Sequence, residues 1–239
     1  MVRRCFHNRN TAMTSSRHRR KNPGIWRNLL LLTLWRHFGD TSETCCIMIS
    51  PFMFARADIP DLFPDILCEP ATDGDLAAIY AMAADYFGPE ISPLDLMLAW
   101  QRKNHTSFRV LIEKRQSTFA TSRKIVGYYC VLPVRKTAYD RLISGKMTGS
   151  ATAAEDIVLP RYAPYAVYLG GMAATGFRAR GGLLMAIRMD IDAAWSGRVK
   201  RFLTRPVTAQ GLRLVSHHGF TPVDASAPGV GALYHRVEV

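Results

Sequence analysis

The sequence predicts a mixed α/β sheet flanked by helices, preceded by a basic N-terminal extension, and three observations point there. Two apolar stretches, Phe108–Ile112 and Ile125–Val134, lie a short polar connection apart, which suits an antiparallel hairpin. A long apolar strand, Tyr165–Ala173, runs into a turn rich in Gly and Arg and then into a helical pattern. Strands and helices alternate from there to the end, so hairpin pairing gives way to a crossover connection at the centre of the sheet.

Taken in order, Ile66–Glu69 reads as a short strand. A helix follows from Thr72-Asp73-Gly74-Asp75, where Thr72 or Asp73 can cap it, and Leu76, Ile79, Tyr80, Ala83 and Phe87 recur at helical spacing. Gly88-Pro89 ends it, and Ser92-Pro93 opens a second helix carrying Leu94, Met97, Leu98 and Trp100. After the hairpin, Lys136–Ser144 is helical, Gly145–Ala151 is loop, and Ala153–Asp156 fits a short helical turn. Gly176–Gly182 reads as the Gly/Arg-rich turn and Leu183–Trp195 as a helix with Leu184, Ile187, Ile191 and Ala194 on one face. Val199–Thr204 is a strand, Thr208–His217 a helix, and strands start at Gly219 and Ala232. No repeat is visible at periods of 20–50 residues.

The formal net charge of +12 is unevenly spread. Residues 1–40 hold nine Lys/Arg against the single acid Asp40, whereas from Ile66 onward 21 Lys/Arg face 14 Asp/Glu. The domain organisation that follows is an extension and linker over 1–65 and one folded domain over 66–239. Three readings of the extension stay open: a disordered tail or an early start preceding Met48 or Met53, an amphipathic surface helix over Ile25–Phe38, and a nucleic-acid-binding arm. Its apolar run, Leu29–Leu34, is too short for a secretory signal or a membrane span. The five cysteines fit no zinc or redox spacing, so reduced thiols in a cytoplasmic protein and no metal are expected.

Chemistry concentrates at Tyr165–Leu184. The first turn of a helix leaves backbone N–H groups without partners, with the positive end of the helix dipole behind them, and a pyrophosphate fits there. Gly181 and Gly182 would allow close approach, and Arg178 and Arg180 would add charge-assisted contacts. At these residues the chain resembles the GNAT superfamily of N-acetyltransferases, whose pyrophosphate loop reads Arg/Gln-x-x-Gly-x-Gly/Ala. Arg178-Ala179-Arg180-Gly181 matches its first four positions, and Leu183 stands where Gly or Ala is usual. The run Gly219-Phe220-Thr221-Pro222-Val223, closing a helix, is also similar to the family. The resemblance spans about Glu69 to Val239.

That resemblance implies transfer of an acetyl group from acetyl-coenzyme A to the primary amine of a small molecule or peptide by direct attack. It assigns cofactor contacts to Gly171, Met172, Ala173, Arg178, Ala179, Arg180, Gly181, Gly182 and Leu183, the first three through backbone amides that polarise the thioester carbonyl. The family's usual Tyr, four residues before the Gly of Gly-Phe, is Val215 here, so the proton donor must lie elsewhere. Tyr168, with Tyr165 beside it, and His217, with His218 beside it, can donate; Glu155, in an acidic pair with Asp156, can serve as base, with Glu113 behind it. Each has a plainer alternative: strand packing for the tyrosines, a helix C-terminus for the histidines, a solvated face for the acids. Tyr128 and Tyr129 are expected to line or underlie the acceptor cleft, and Cys130, in an apolar strand, is disfavoured as a nucleophile. No nucleic-acid partner and no membrane span are expected of the domain, and a homodimer is left open. A non-catalytic module that binds acyl-coenzyme A is the alternative function; a protein whose basic tail governs it is a third.

Overall fold

The computed structural model describes residues 63–89, 91–116, 121–195 and 197–238. The readings made for residues 1–62, and Cys5, Cys45 and Cys46, lie outside them. Among the described residues no helix is long and apolar enough to cross a membrane, and no group of three or more His, Cys, Asp or Glu could hold a metal.

Strand β1 (Ile66–Pro70) is followed by helices α1 (Leu76–Phe87) and α2 (Leu94–Lys103). The hairpin β2 (Phe108–Gln116) and β3 (Thr121–Val134) comes next, then α3 (Lys136–Ile143), β4 (Ala166–Ala174) and α4 (Gly176–Asp190). β5 (Arg201–Thr204), α5 (Ala209–His217), β6 (Thr221–Pro222) and β7 (Tyr234–Val237) complete the fold. One seven-stranded sheet runs in the order β1-β2-β3-β4-β5-β7-β6. All its pairs are antiparallel except β4 with β5, as a strand–helix–strand crossover demands. The expected mixed sheet flanked by helices is therefore present.

Alternation along the strands divides the core between the two faces. Val110, Tyr128, Leu132 and Tyr168 pack with Leu76, Ile79, Met97 and Leu142 of α1, α2 and α3. Leu111, Val126, Val131, Val167 and Leu169 point the other way, against Ala179, Leu183 and Ile187 of α4 and Val215 of α5. Leu76 and Ile79 are fully buried, as the helical spacing requires, whereas Tyr80 of the same stripe remains on the surface.

Local signals explain most ends. The backbone N–H and hydroxyl of Thr72 both donate to Asp75, tying the turn that leads into α1. Gly219 ends α5 at φ 77°, a backbone that side-chain-bearing residues rarely adopt, and Phe220 drops into the core. Some boundaries differ from expectation: β2 and β3 each run four residues farther into their connection than Ile112 and Ile125. The turn read over Gly176–Gly182 is helix already, and the helix read from Leu183 begins at Gly176 and closes in a wider π-type turn over Ile191–Trp195. The Gly-Gly pair sits mid-helix because close packing needs it: a Cβ on Gly182 would come within 3.2 Å of Ile66, and one on Gly181 within 2.6 Å of the Phe63 ring.

The long loop before β4 is held by buried bonds from α2. The Trp100 indole donates to the Thr152 carbonyl at 2.7 Å, and the Asn104 amide donates to the Val158 carbonyl at 2.7 Å. Across the sheet edge, Arg123 of β3 bridges Asp75 at 2.6 Å and Glu69 at 2.9 Å. This guanidinium, with the Thr72 bonds, holds the Asp75 carboxyl down at about 2 against the desolvation that opposes it.

A carboxyl depressed in the folded state adds stability above its unfolded pKa and loses it as pH falls through the folded value. Asp75→Asn should therefore cost about 1–2 kcal/mol at neutral pH, an allowance made for solvent around Arg123. The gap to the parent should close between about pH 4 and pH 2, as read by urea denaturation across that range; a gap that holds constant with pH would exclude the ion pair as its source.

Candidate active site

β4 is paired on both edges only at its start. Val167, Tyr168 and Leu169 match Phe202, Leu203 and Thr204 of β5. The Thr204 hydroxyl donates to the Leu169 carbonyl at 3.0 Å and ends the pairing. From Gly170 to Ala174 the strand keeps β3 on one side and, among the described residues, has no strand on the other.

A β-bulge produces this parting. The β3–β4 register jumps from Val131↔Leu169 to Tyr129↔Met172, so Cys130 stands opposite both Gly170 and Gly171. An extra residue reverses which face each later side chain meets. Before the bulge, Ala166 and Tyr168 face α1–α3; after it, Ala173 does, while Met172 and Ala174 face α4. The glycines leave room for this: a Cβ at Gly170 would lie 3.2 Å from that of Cys130, and one at Gly171 would lie 3.0 Å from the Tyr128 hydroxyl.

The bulge also decides which amides are available. Thr175 donates its N–H to Val126 of β3 at 2.8 Å, and the Tyr86 hydroxyl of α1 donates to the outward Ala174 carbonyl at 3.1 Å. With alternation, the N–H groups of Met172 and Ala174 face the open edge, while that of Ala173 turns toward β3. Of Gly171, Met172 and Ala173, the residues expected to offer amides here, Met172 has its N–H on the open edge, as does Ala174.

This edge runs directly into α4. The four-residue match Arg178–Gly181 therefore lies within the first turn and a half of helix, not in a loop before it. First-turn amides, around Gly176 and Arg178, lack carbonyl partners within the helix, whereas Gly181, Gly182 and Leu183 lie deeper. Thr175 offers the helix no side-chain cap, its hydroxyl being given to Val126 at 3.2 Å. Arg178 pairs with Asp65 at 3.0 Å in an exposed bridge, and Arg180 is exposed on the same first turns. Ala179, Gly182 and Leu183 are buried against the sheet.

Tyr168 faces the opposite side, where α3 and the loop before β4 pack. It is 7% exposed, and burial pushes its hydroxyl up to about 12, with the Arg205 charge pulling the other way. The ring rests on Gly149, where a Cβ would come within 2.1 Å of the ring and 2.2 Å of the hydroxyl oxygen. The group stays protonated at any physiological pH, so it can donate a proton and cannot act as a base there.

The other predicted residues do not converge on it. Glu155 is exposed in the 3-10 turn Ala154–Asp156. Its neighbour Asp156 is buried and bound to Arg141, a structural role. His217 ends α5, on the α4 face of the sheet, with its ring edge-on to His218 at 5.5 Å. Burial, reinforced by His217, Arg188 and Arg236, lowers His218. Tyr165 lies outside the core, its ring under the Arg201 guanidinium at 4.4 Å. Tyr129 points to the α4 face, where its hydroxyl bonds Asp190, and Asp190 pairs with Arg109 at 3.2 Å. Tyr128 is buried on the α1 face with its hydroxyl under Gly171. Burial drives Cys130 upward, which bars it as a nucleophile. Val215, where the resembled family has Tyr, is 7% exposed in the α4-side core.

Sequence reasoning missed Tyr86, Thr204, Gly149 and Arg205. Thr204 closes a recognisable strand and Arg205 follows it, but nothing local marks where pairing to β4 stops.

No protein-family model and no curated protein matches the chain, but solved structures align with it. Several of these solved chains are acetyltransferases. They include the polyamine N acetyltransferase of Drosophila melanogaster (12% identity, 73% of this chain, 99% of that chain, TM-score 0.45). An acetyltransferase of the GNAT family from Staphylococcus aureus MU50 aligns at 12% identity over 72% of this chain and 98% of that chain, with a TM-score of 0.43. A chain of the NatC complex bound to Gag peptide and CoA aligns at 11% identity over 73% of this chain and 99% of its own, TM-score 0.48. These likenesses are too distant to carry an activity to this chain.

The seat of Tyr168 can be tested directly. Gly149→Ala should destabilise the fold by about 1–3 kcal/mol, because the ring must leave its rotamer. Combining it with Tyr168→Leu should cost clearly less than the sum of the two single changes, measured by urea denaturation. Strict additivity would show that the ring and Gly149 do not constrain each other.

Proposed function

We propose that the chain is a GNAT-type N-acetyltransferase that uses acetyl-coenzyme A and an amine acceptor. The single observation behind this is the parting of β4 from β5 after Leu169, beside a bulge and ahead of the α4 N-terminus. It leaves an extended edge that faces no described strand, in line with a positive helix end. An extended, amide-bearing pantetheine arm would complement the edge, and a diphosphate would complement the helix end with Arg178 and Arg180. Acetyl-coenzyme A, when bound, supplies the activated acetyl group.

The chain's own residues then have separable tasks. Met172 and Ala174 N–H groups would hold and polarise an acyl oxygen, being fixed by the sheet before any ligand arrives. Tyr128 and Phe87 would wall the edge near Gly171 and keep water out. Tyr168, protonated and on the near side of the parting, would donate a proton to the leaving thiolate. With His217 on the other face, Tyr168 is the better donor. A base for the amine is left to Glu155 or to water, the acid being exposed and able to reach its proton only through solvent.

Calorimetry with coenzyme A tests the first part. Arg180→Glu should weaken binding about tenfold, with a loss that shrinks as salt rises. A parent chain that fails to bind coenzyme A at millimolar concentration would end this proposal. Thiol release with an amine panel tests the second: Tyr168→Phe should lower kcat by about 100-fold, the range for a lost general acid, with coenzyme A affinity unchanged. Its folded-state value near 12 means no falling limb from Tyr168 below about pH 10 in the parent's pH profile. Coenzyme A binding without thiol release from any amine would favour the non-catalytic module.

A further inference from the structure

A cavity of about 220 Å³ opens on the Tyr168 side of the sheet, between the end of α3 and the segment joining β6 to β7. Leu142, Ile143, Val223 and Leu233 give it apolar walls, and Arg205 and Asp224 are its two charged residues. Arg205 follows β5 directly, one residue after the Thr204 that ends the pairing with β4.

Arg205 is unusual among the described arginines of this fold. Its Nε is buried with no hydrogen-bond partner, and the residue makes no ion pair among the described residues. A guanidinium is always charged, and a buried donor left without an acceptor costs free energy. Asp224, in contrast, is exposed at the cavity and held in place: it accepts from the Ser226 N–H at 2.9 Å and from its hydroxyl at 2.6 Å. Those bonds favour its ionised form.

We propose that this cavity takes a small amino acid, with the carboxylate on Arg205. A cation with a buried, unpartnered donor, an exposed anion and apolar side chains lining one cavity complement a molecule that bears both charges and an apolar side chain. A planar carboxylate matches the guanidinium fork. A phosphate is a poorer occupant, since Asp224 opposes its second charge and no other cation lines the space. The volume, that of about seven water molecules in the liquid, suits a single amino acid. Arg205, whose charge acts on the Tyr168 hydroxyl, ties the cavity to the break, so the amino acid would be the acetyl acceptor, a role that rests on the acetyl-transfer proposal; the binding itself does not.

Calorimetry on the full chain tests the binding with glycine, valine, leucine and phenylalanine, against isoamylamine and leucine methyl ester, which keep the leucine body without a free carboxylate. At least one acid should bind about tenfold or more tightly than both carboxylate-free probes, a preference Arg205→Gln should abolish. Arg213→Gln, which removes an exposed charge from α5, should leave that preference intact and controls for net charge. Circular dichroism of each variant confirms folding, and a misfolded Arg205→Gln would be replaced by Arg205→Lys, which keeps the charge and loses the fork. The inference is overturned if none of the acids binds, if isoamylamine or the ester binds as well as leucine, or if a folded Arg205 variant keeps the preference. A coenzyme A titration in parallel separates the proposals: acid binding without coenzyme A binding sinks acetyl transfer alone, and the reverse sinks the amino-acid site alone.

Discussion

A two-for-one mismatch between neighbouring strands shapes the centre of this protein. Cys130 faces Gly170 and Gly171 together, and the strand carrying the glycines must bend to absorb the extra residue. Beyond the bend β4 no longer runs beside β5. A sheet otherwise satisfied by its neighbours thus acquires a short stretch of edge in its middle. Unpaired N–H groups inside a fold are costly and ordinarily rare. An edge of β4 that faces no described strand, beside a helix N-terminus, is where an amide-bearing ligand would find unclaimed pairing groups.

The same bend organises the two faces. Ahead of it Tyr168 belongs to the α1–α3 side and Leu169 to the α4–α5 side; past it the assignment is reversed. The gap in the sheet is consequently lined by residues of both layers. Thr204, Arg205 and Tyr168 stand on the near side of the break, Tyr128 and Tyr86 on the far side. Buried bonds from Trp100 and Asn104 hold the loop that carries Gly149, so the seat of Tyr168 depends on α2 as much as on its own strand.

Burial explains why the titratable groups here divide so sharply. Tyr128, Tyr168 and Cys130 are all pushed toward their neutral forms by desolvation, with little opposing charge. Asp75 shows the contrary case, where one guanidinium outweighs desolvation. Neutral tyrosines beside the break suit proton donation and hydrogen bonding, and no thiol or carboxylate among the described residues there is activated as a nucleophile. The chemistry open to such a site is one in which a ligand brings its own reactive bond and the protein supplies position and dipoles.

The elements themselves were legible in the chain. Helical spacing of Leu76, Ile79 and Ala83, the Thr72–Asp75 cap, the Gly219 stop and the apolar run of β4 each act over a few residues, and so each was readable. Helix α4 shows the limit: Gly181-Gly182 looks like a turn in sequence, yet it is helix because Phe63 and Ile66 press against it. Which tyrosine faces which layer could not be read either, since the bulge that reverses the alternation exists only against β3. His217 and Tyr168 carry equally suitable chemistry, and the crossover connection alone puts them on opposite sides of the sheet. Sequence determined the local structures and the kinds of group available, because those depend on neighbours a few bonds away. The break in the sheet, the seat of Tyr168 and the lone Arg205 were decided by contacts between residues well separated along the chain, which only the tertiary structure brings together.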